Sequence, residues 1–134
     1  MALMVDTSVW SLLLRRGGPV HDLRVRALQW ALQGGERVVT TGLILQELFQ
    51  GFAREASRER ILEAFRPIEM IQPNREDHIA AARLRDSCRS AGVQLSTIDA
   101  LIAQLCIGRG LALLTTDRDF THAAEHCELV VWGG

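Results

Sequence analysis

Along the chain, short apolar runs alternate with stretches whose apolar residues recur at helical spacing. ALMV (2–5) predicts a buried strand and SVWSLLLR (8–15) a helix stopped by Gly17, Gly18 and Pro19. HDLRVRALQWALQ (21–33) predicts a second helix, ended at Gly34 and Gly35, with Trp10 and Trp30 at core-like positions. RVVT (37–40) is the next strand, followed by helices over GLILQELFQGF and REASRERILEAF (54–65), then the strand IEMI (68–71). Asn74 caps a long helix reaching about Ser90. The last third repeats the rhythm with the helix STIDALIAQLCIGR, the strand LALLT, the helix DRDFTHAAEH and the strand ELVVW.

Short apolar strands alternating with amphipathic helices imply a parallel sheet covered on both faces. With no repeat, low-complexity segment or linker, residues 1–134 read as a single α/β domain. In such sheets ligands gather beyond the carboxyl ends of the strands. Asp6 follows the first strand and Asp117 follows LALLT, so both point to one rim.

Four carboxylates stand in apolar surroundings: Asp6 in MVDTSVW, Glu47 in LILQELFQG, Asp99 in STIDALIAQL and Asp117 in LLTTDRDF. A buried carboxylate without a partner costs several kcal/mol. All 15 basic residues are arginine, and few lie near these acids in sequence. A divalent cation is therefore the economical partner, and oxygen ligands without paired Cys or His favour Mg²⁺ or Mn²⁺ over zinc. Each acid also has a simpler reading. Asp6 could cap the helix at Thr7, Ser96 to Asp99 has capping-box spacing, Asp117 could cap the last helix, and Glu47 could pair with Arg54. Four separate explanations for four acids in like settings are less economical than one site.

Composition prunes the alternatives. A 48% hydrophobic and 23% charged chain of net charge −1 is that of a soluble globular domain. No apolar stretch approaches the roughly 20 residues of a membrane span, and no signal peptide is expected. Cys88, Cys106 and Cys127 are odd in number and widely spaced, which fits reduced thiols in the cytoplasm. The absence of lysine removes P-loop and Schiff-base chemistry, and there is no credible Ser-His or Cys-His nucleophile. HAAEH (122–126) formally matches an inverted zinc-peptidase pattern, but its helix is short and eight residues follow it. His21 and His78 are isolated and expected at the surface. A receiver fold needs a lysine, and a D-x-D phosphatase needs an acid where Ser8 stands.

The ordered set MVDTSVW, LQELFQG, STIDALIAQL and LLTTDRDF resembles the PIN-domain ribonucleases, and in detail the VapC toxins of type II toxin–antitoxin pairs. The resemblance spans nearly the whole chain. It implies a Rossmann-like three-layer fold whose parallel sheet has the order 3-2-1-4-5, with Asp6 and Asp117 at the switch point. It implies that Asp6, Glu47, Asp99 and Asp117 form a catalytic, metal-binding pocket, with Asp6 and Asp99 the most direct ligands. Thr115 resembles a hydroxyl position supporting that pocket, Thr7 and Ser8 lie beside Asp6, and Asp119 is a secondary candidate. The implied activity is Mg²⁺- or Mn²⁺-dependent endoribonuclease cleavage of phosphodiester bonds. The implied partners are RNA, a cognate antitoxin protein and a second copy in a homodimer. Arg15, Arg16, Arg54, Arg58 and Arg118 are candidate backbone contacts. The alternatives are a PIN-domain RNA-processing nuclease that is not a toxin, and a non-catalytic partner-binding module.

Overall fold

The computed structural model describes residues 1–15 and 21–133. Its elements follow the predicted rhythm: β1 (Leu3–Val5), α1 (Thr7–Leu14), α2 (Leu23–Trp30), β2 (Val38–Thr41), α3 (Gly42–Gln50), α4 (Glu55–Phe65) and β3 (Glu69–Ile71). Then come α5 (Arg75–Ser90), α6 (Thr97–Arg109), β4 (Ala112–Leu114), α7 (Arg118–Ala124) and β5 (Val130–Val131). The predicted stop of the first helix at Gly17, Gly18 and Pro19 lies outside the described residues.

The five strands form one parallel sheet in the order β3-β2-β1-β4-β5. Every residue of β1, β2 and β4 is buried, as apolar strands covered on both faces must be. The edge strands β3 and β5 are partly exposed. β1 is the centre of the sheet, and its register Val5↔Leu114 brings the two following residues, Asp6 and Thr115, side by side. The Asp6 backbone N–H donates to Leu114 O at 2.9 Å, so the pairing runs to the rim.

Helix α6 buries Ala100, Leu101, Ile102, Ala103, Leu105 and Cys106. Such nearly all-round burial explains why its sequence has so few polar positions. From α1, Val9, Trp10 and Leu14 enter the core, where the Trp10 indole lies 4.5 Å, centroid to centroid, from the Phe65 ring. Asn74 makes the capping box predicted for α5, accepting from Asp77 N–H while Asp77 accepts from Asn74 N–H.

Trp30 departs from expectation. It is 58% exposed, because the buried stripe of α2 runs through Val25 and Leu28 and Trp30 lies off it. Beyond Trp30 the helix widens into one π-type turn, Ala31–Gly35, closed by Gly34 at φ 97°, a conformation side chains other than glycine rarely take. The indole then folds over Gly35, where a Cβ would collide with the ring.

Candidate active site

Asp6 begins α1 but does not cap it. Its backbone has the extended N-cap conformation, yet its carboxylate accepts no capping hydrogen bond from a backbone N–H of the helix. Only 7% exposed, the carboxylate instead accepts from Ser8 Oγ at 2.7 Å and from Thr115 Oγ1 at 2.8 Å, both at Oδ2. The capping explanation therefore fails for Asp6. It succeeds in part for two others: Asp117 caps α7 by accepting from Asp119 N–H at 2.9 Å, and Ser96 caps α6 by accepting from Asp99 N–H at 3.0 Å. Capping accounts for the start of α7 without accounting for the charges Asp117 faces.

The four acids face one another across the rim. Burial pushes Asp99 up to about 6 from the ordinary 3.8; the charges of Asp6 and Asp117 add to the rise, the Ser96 hydroxyl opposes it, and Glu47 adds a smaller push. Burial likewise raises Glu47, helped by the charge of Asp6 and opposed by the Thr7 hydroxyl. That hydroxyl is buried beside Glu47 but falls short of hydrogen-bond geometry. A carboxylate feels its neighbours this way only where they are close and poorly screened.

No counter-charge among the described residues relieves the cluster. Among the described residues no ion pair involves Asp6, Glu47, Asp99 or Asp117, so the alternative pairing of Glu47 with Arg54 is not formed. Nor, among those residues, do three Asp, Glu, His or Cys side chains converge as a ready-made ligand set. Mutual repulsion is the physical reason like-charged carboxylates stand apart. The donor set nonetheless fits a hard cation: oxygen ligands only, partly buried, and short of positive charge.

Asp119 is exposed in the first turn of α7 and is absent from the charges that act on Asp99. His122, Glu125 and His126 of HAAEH are exposed, and α7 ends at Ala124, before the pattern is complete. His21 and His78 are exposed as expected. Of the candidate arginines, Arg58 is engaged in the fold, donating to Phe52 O at 2.8 Å with its guanidinium 4.7 Å from the Phe49 ring centre. Arg15, Arg54 and Arg118 are exposed and form no ion pair among the described residues, and Arg16 lies outside them.

One contact and one neighbour of Asp6 escape sequence reasoning. Ser8 was placed beside Asp6, but its bond to the carboxylate was not foreseen; the signal was a hydroxyl two residues after a strand-end acid, the spacing of a local side-chain turn. Cys106 of α6 packs beneath the pocket, its thiol pushed up to about 12 by burial and then by the charge of Asp6.

The fold recurs in known structures. The Rickettsia felis VapBC2 complex bound to a DNA fragment from its promoter matches with a TM-score of 0.74 at 17% identity, covering 98% of this chain and 97% of that one. A member of the VapBC toxin–antitoxin family from Mycobacterium tuberculosis, VapBC-5, matches with a TM-score of 0.71 at 25% identity, covering 97% and 96%. Mycobacterium tuberculosis VapC20, a sarcin–ricin-loop-cleaving toxin, matches with a TM-score of 0.66 at 20% identity, covering 95% and 98%. The model of the PIN domain matches residues 3–126, which contain all four acids. By that match, and by a sheet order that agrees with it, the chain belongs to the PIN-domain family.

Proposed function

We propose that this protein is a Mg²⁺- or Mn²⁺-dependent endoribonuclease, that residues 1–134 act as one PIN domain, and that it serves as the toxin of a toxin–antitoxin pair in the cytoplasm. PIN domains are nucleases, and one structural relative is a toxin that cleaves RNA. The observation that carries the reading is the acidic cluster at the carboxyl rim, uncompensated among the described residues, where burial first and the charges of Asp6 and Asp117 next push Asp99 up to about 6. Charge of that kind is tolerated in a stable fold where a cation neutralises it in the working state.

Asp6, Glu47, Asp99 and Asp117 would hold the ion. When bound, a divalent cation supplies Lewis acidity at the phosphoryl oxygen and makes water a nucleophile near neutral pH. The protein's own residues do the rest. Ser8 and Thr115 fix the orientation of Asp6, and the ends of β1 and β4 set Asp6 beside Thr115, two residues before Asp117. The exposed arginines Arg15, Arg54 and Arg118 are free to grip phosphates flanking the cleaved bond. No side-chain nucleophile is needed. An antitoxin segment presenting an arginine or lysine would satisfy the same cluster and block it, and a homodimer is the expected assembly.

The test is cleavage of single-stranded RNA by the purified full chain, with and without Mn²⁺ or Mg²⁺. Lewis-acid assistance is worth several kcal/mol and each 1.36 kcal/mol is tenfold in rate, so Asp6→Asn should slow cleavage by about 10²-fold or more. Parent-like cleavage by that variant, or cleavage indifferent to chelator, refutes the assignment.

A further inference from the structure

The two hydroxyls on Asp6 are not interchangeable decorations, because each is itself oriented by a backbone amide of the β4–α7 turn. Thr116 N–H donates to Ser8 Oγ at 3.1 Å, and Asp117 N–H donates to Thr115 Oγ1 at 3.0 Å. A hydroxyl that accepts from an amide has its own proton left to give. Both protons go to the same atom, Asp6 Oδ2, at 2.7 and 2.8 Å. The 3.4 Å separation of Ser8 Oγ and Thr115 Oγ1 is then a side-by-side contact of two donors rather than a bond between them. Among the described residues, Asp6 Oδ1 accepts no hydrogen bond.

We propose that Ser8, together with Thr115, is a positioning residue that commits Asp6 Oδ2 to the fold and leaves Oδ1 as the single oxygen with which Asp6 meets a hard divalent cation. The inference rests on the metal-dependent reading above. It assigns Ser8 a second task as well: through Thr116 N–H it bolts the β1–α1 turn to the β4–α7 turn, across a separation of 108 residues in the chain. A one-oxygen carboxylate suits the small octahedral shell of Mg²⁺. A carboxylate free to turn and chelate with both oxygens suits the larger, more flexible shell of Ca²⁺. Ser8 and Thr115 thereby select the ion as well as hold its ligand.

The experiment is calorimetric titration of the full chain with Mn²⁺, Mg²⁺ and Ca²⁺, alongside amide spectra of the metal-free protein. The variants are Ser8→Ala, Thr115→Val, Thr115→Ser and Asp6→Asn. Loss of an outer hydrogen-bond partner costs about 10- to 100-fold in metal affinity. Ser8→Ala and Thr115→Val should each weaken Mn²⁺ by about tenfold or more and narrow the preference for Mg²⁺ over Ca²⁺. Thr115→Ser, which keeps the hydroxyl, should restore both. Ser8→Ala should also shift the Thr116 amide resonance before any metal is added. Parent-like affinity and ion preference in both hydroxyl-deletion variants overturns the proposal. A parent that binds no ion and matches Asp6→Asn overturns the metal reading itself, and this inference with it.

Discussion

Asp99→Asn should stabilise the metal-free protein while removing a carboxylate from the proposed site. The folded-state pKa of Asp99, about 6, lies above the ordinary 3.8, so folding favours its protonated form. That contribution is fully present below about pH 4 and is lost as pH rises through 6. Two pKa units correspond to about 3 kcal/mol at most. Asp99 is only half-buried, so solvent screening reduces this to about 1 kcal/mol of destabilisation at pH 8. Asparagine keeps the shape and cannot ionise. In thermal unfolding with chelator present, the variant should melt a few degrees above the parent at pH 8. The gap should close as pH falls from 7 to 4. Added Mn²⁺ should raise the parent more than the variant, because binding to the native state stabilises by mass action. A variant less stable than the parent at pH 8, or a difference unaffected by pH, would refute the claim that the four acids share one poorly screened site.

Two further perturbations probe the frame that holds the site. Trp10→Ala empties a fully buried position against Phe65 and should cost about 3 kcal/mol by urea denaturation, the low end for a large aromatic because the buried indole N–H has no partner to lose. Asn74→Ala removes one half of the α5 capping box and should cost about 1 kcal/mol in the same assay, with RNA cleavage unaltered.

The frame was legible because parallel strands buried on both faces read as apolar runs, which β1 and β4 are throughout and β2 is until its two buried threonines, Thr40 and Thr41. Boundaries moved where one-sided forces act. ELVVW contracts to Val130–Val131 because β5 is an edge strand that pairs only with β4. The second helix widens after Trp30 and stops at Gly34 and Gly35 as predicted, with Gly34 in a left-handed conformation, whereas Trp30 is exposed because α2 buries a narrower stripe than its apolar content suggests. The acids were legible one at a time, as charges out of place among apolar neighbours. Their mutual proximity needed the sheet order. The hydroxyl relay was beyond reach, because Ser8 meets Thr116 only through the pairing of β1 with β4, and no local pattern announces a contact between residues so far apart.

That central pairing has a consequence for synthesis. β1 leaves the ribosome well before its partner β4 and the turn bearing Thr115 and Asp117. A nascent chain stopped before Leu114 carries three of the four acids and none of the geometry that assembles them. At about 5–20 residues per second, Asp6 waits several seconds for the turn that completes the cluster. A chain whose proposed work is cutting RNA is thus made without its pocket until β4 and the turn after it have been translated.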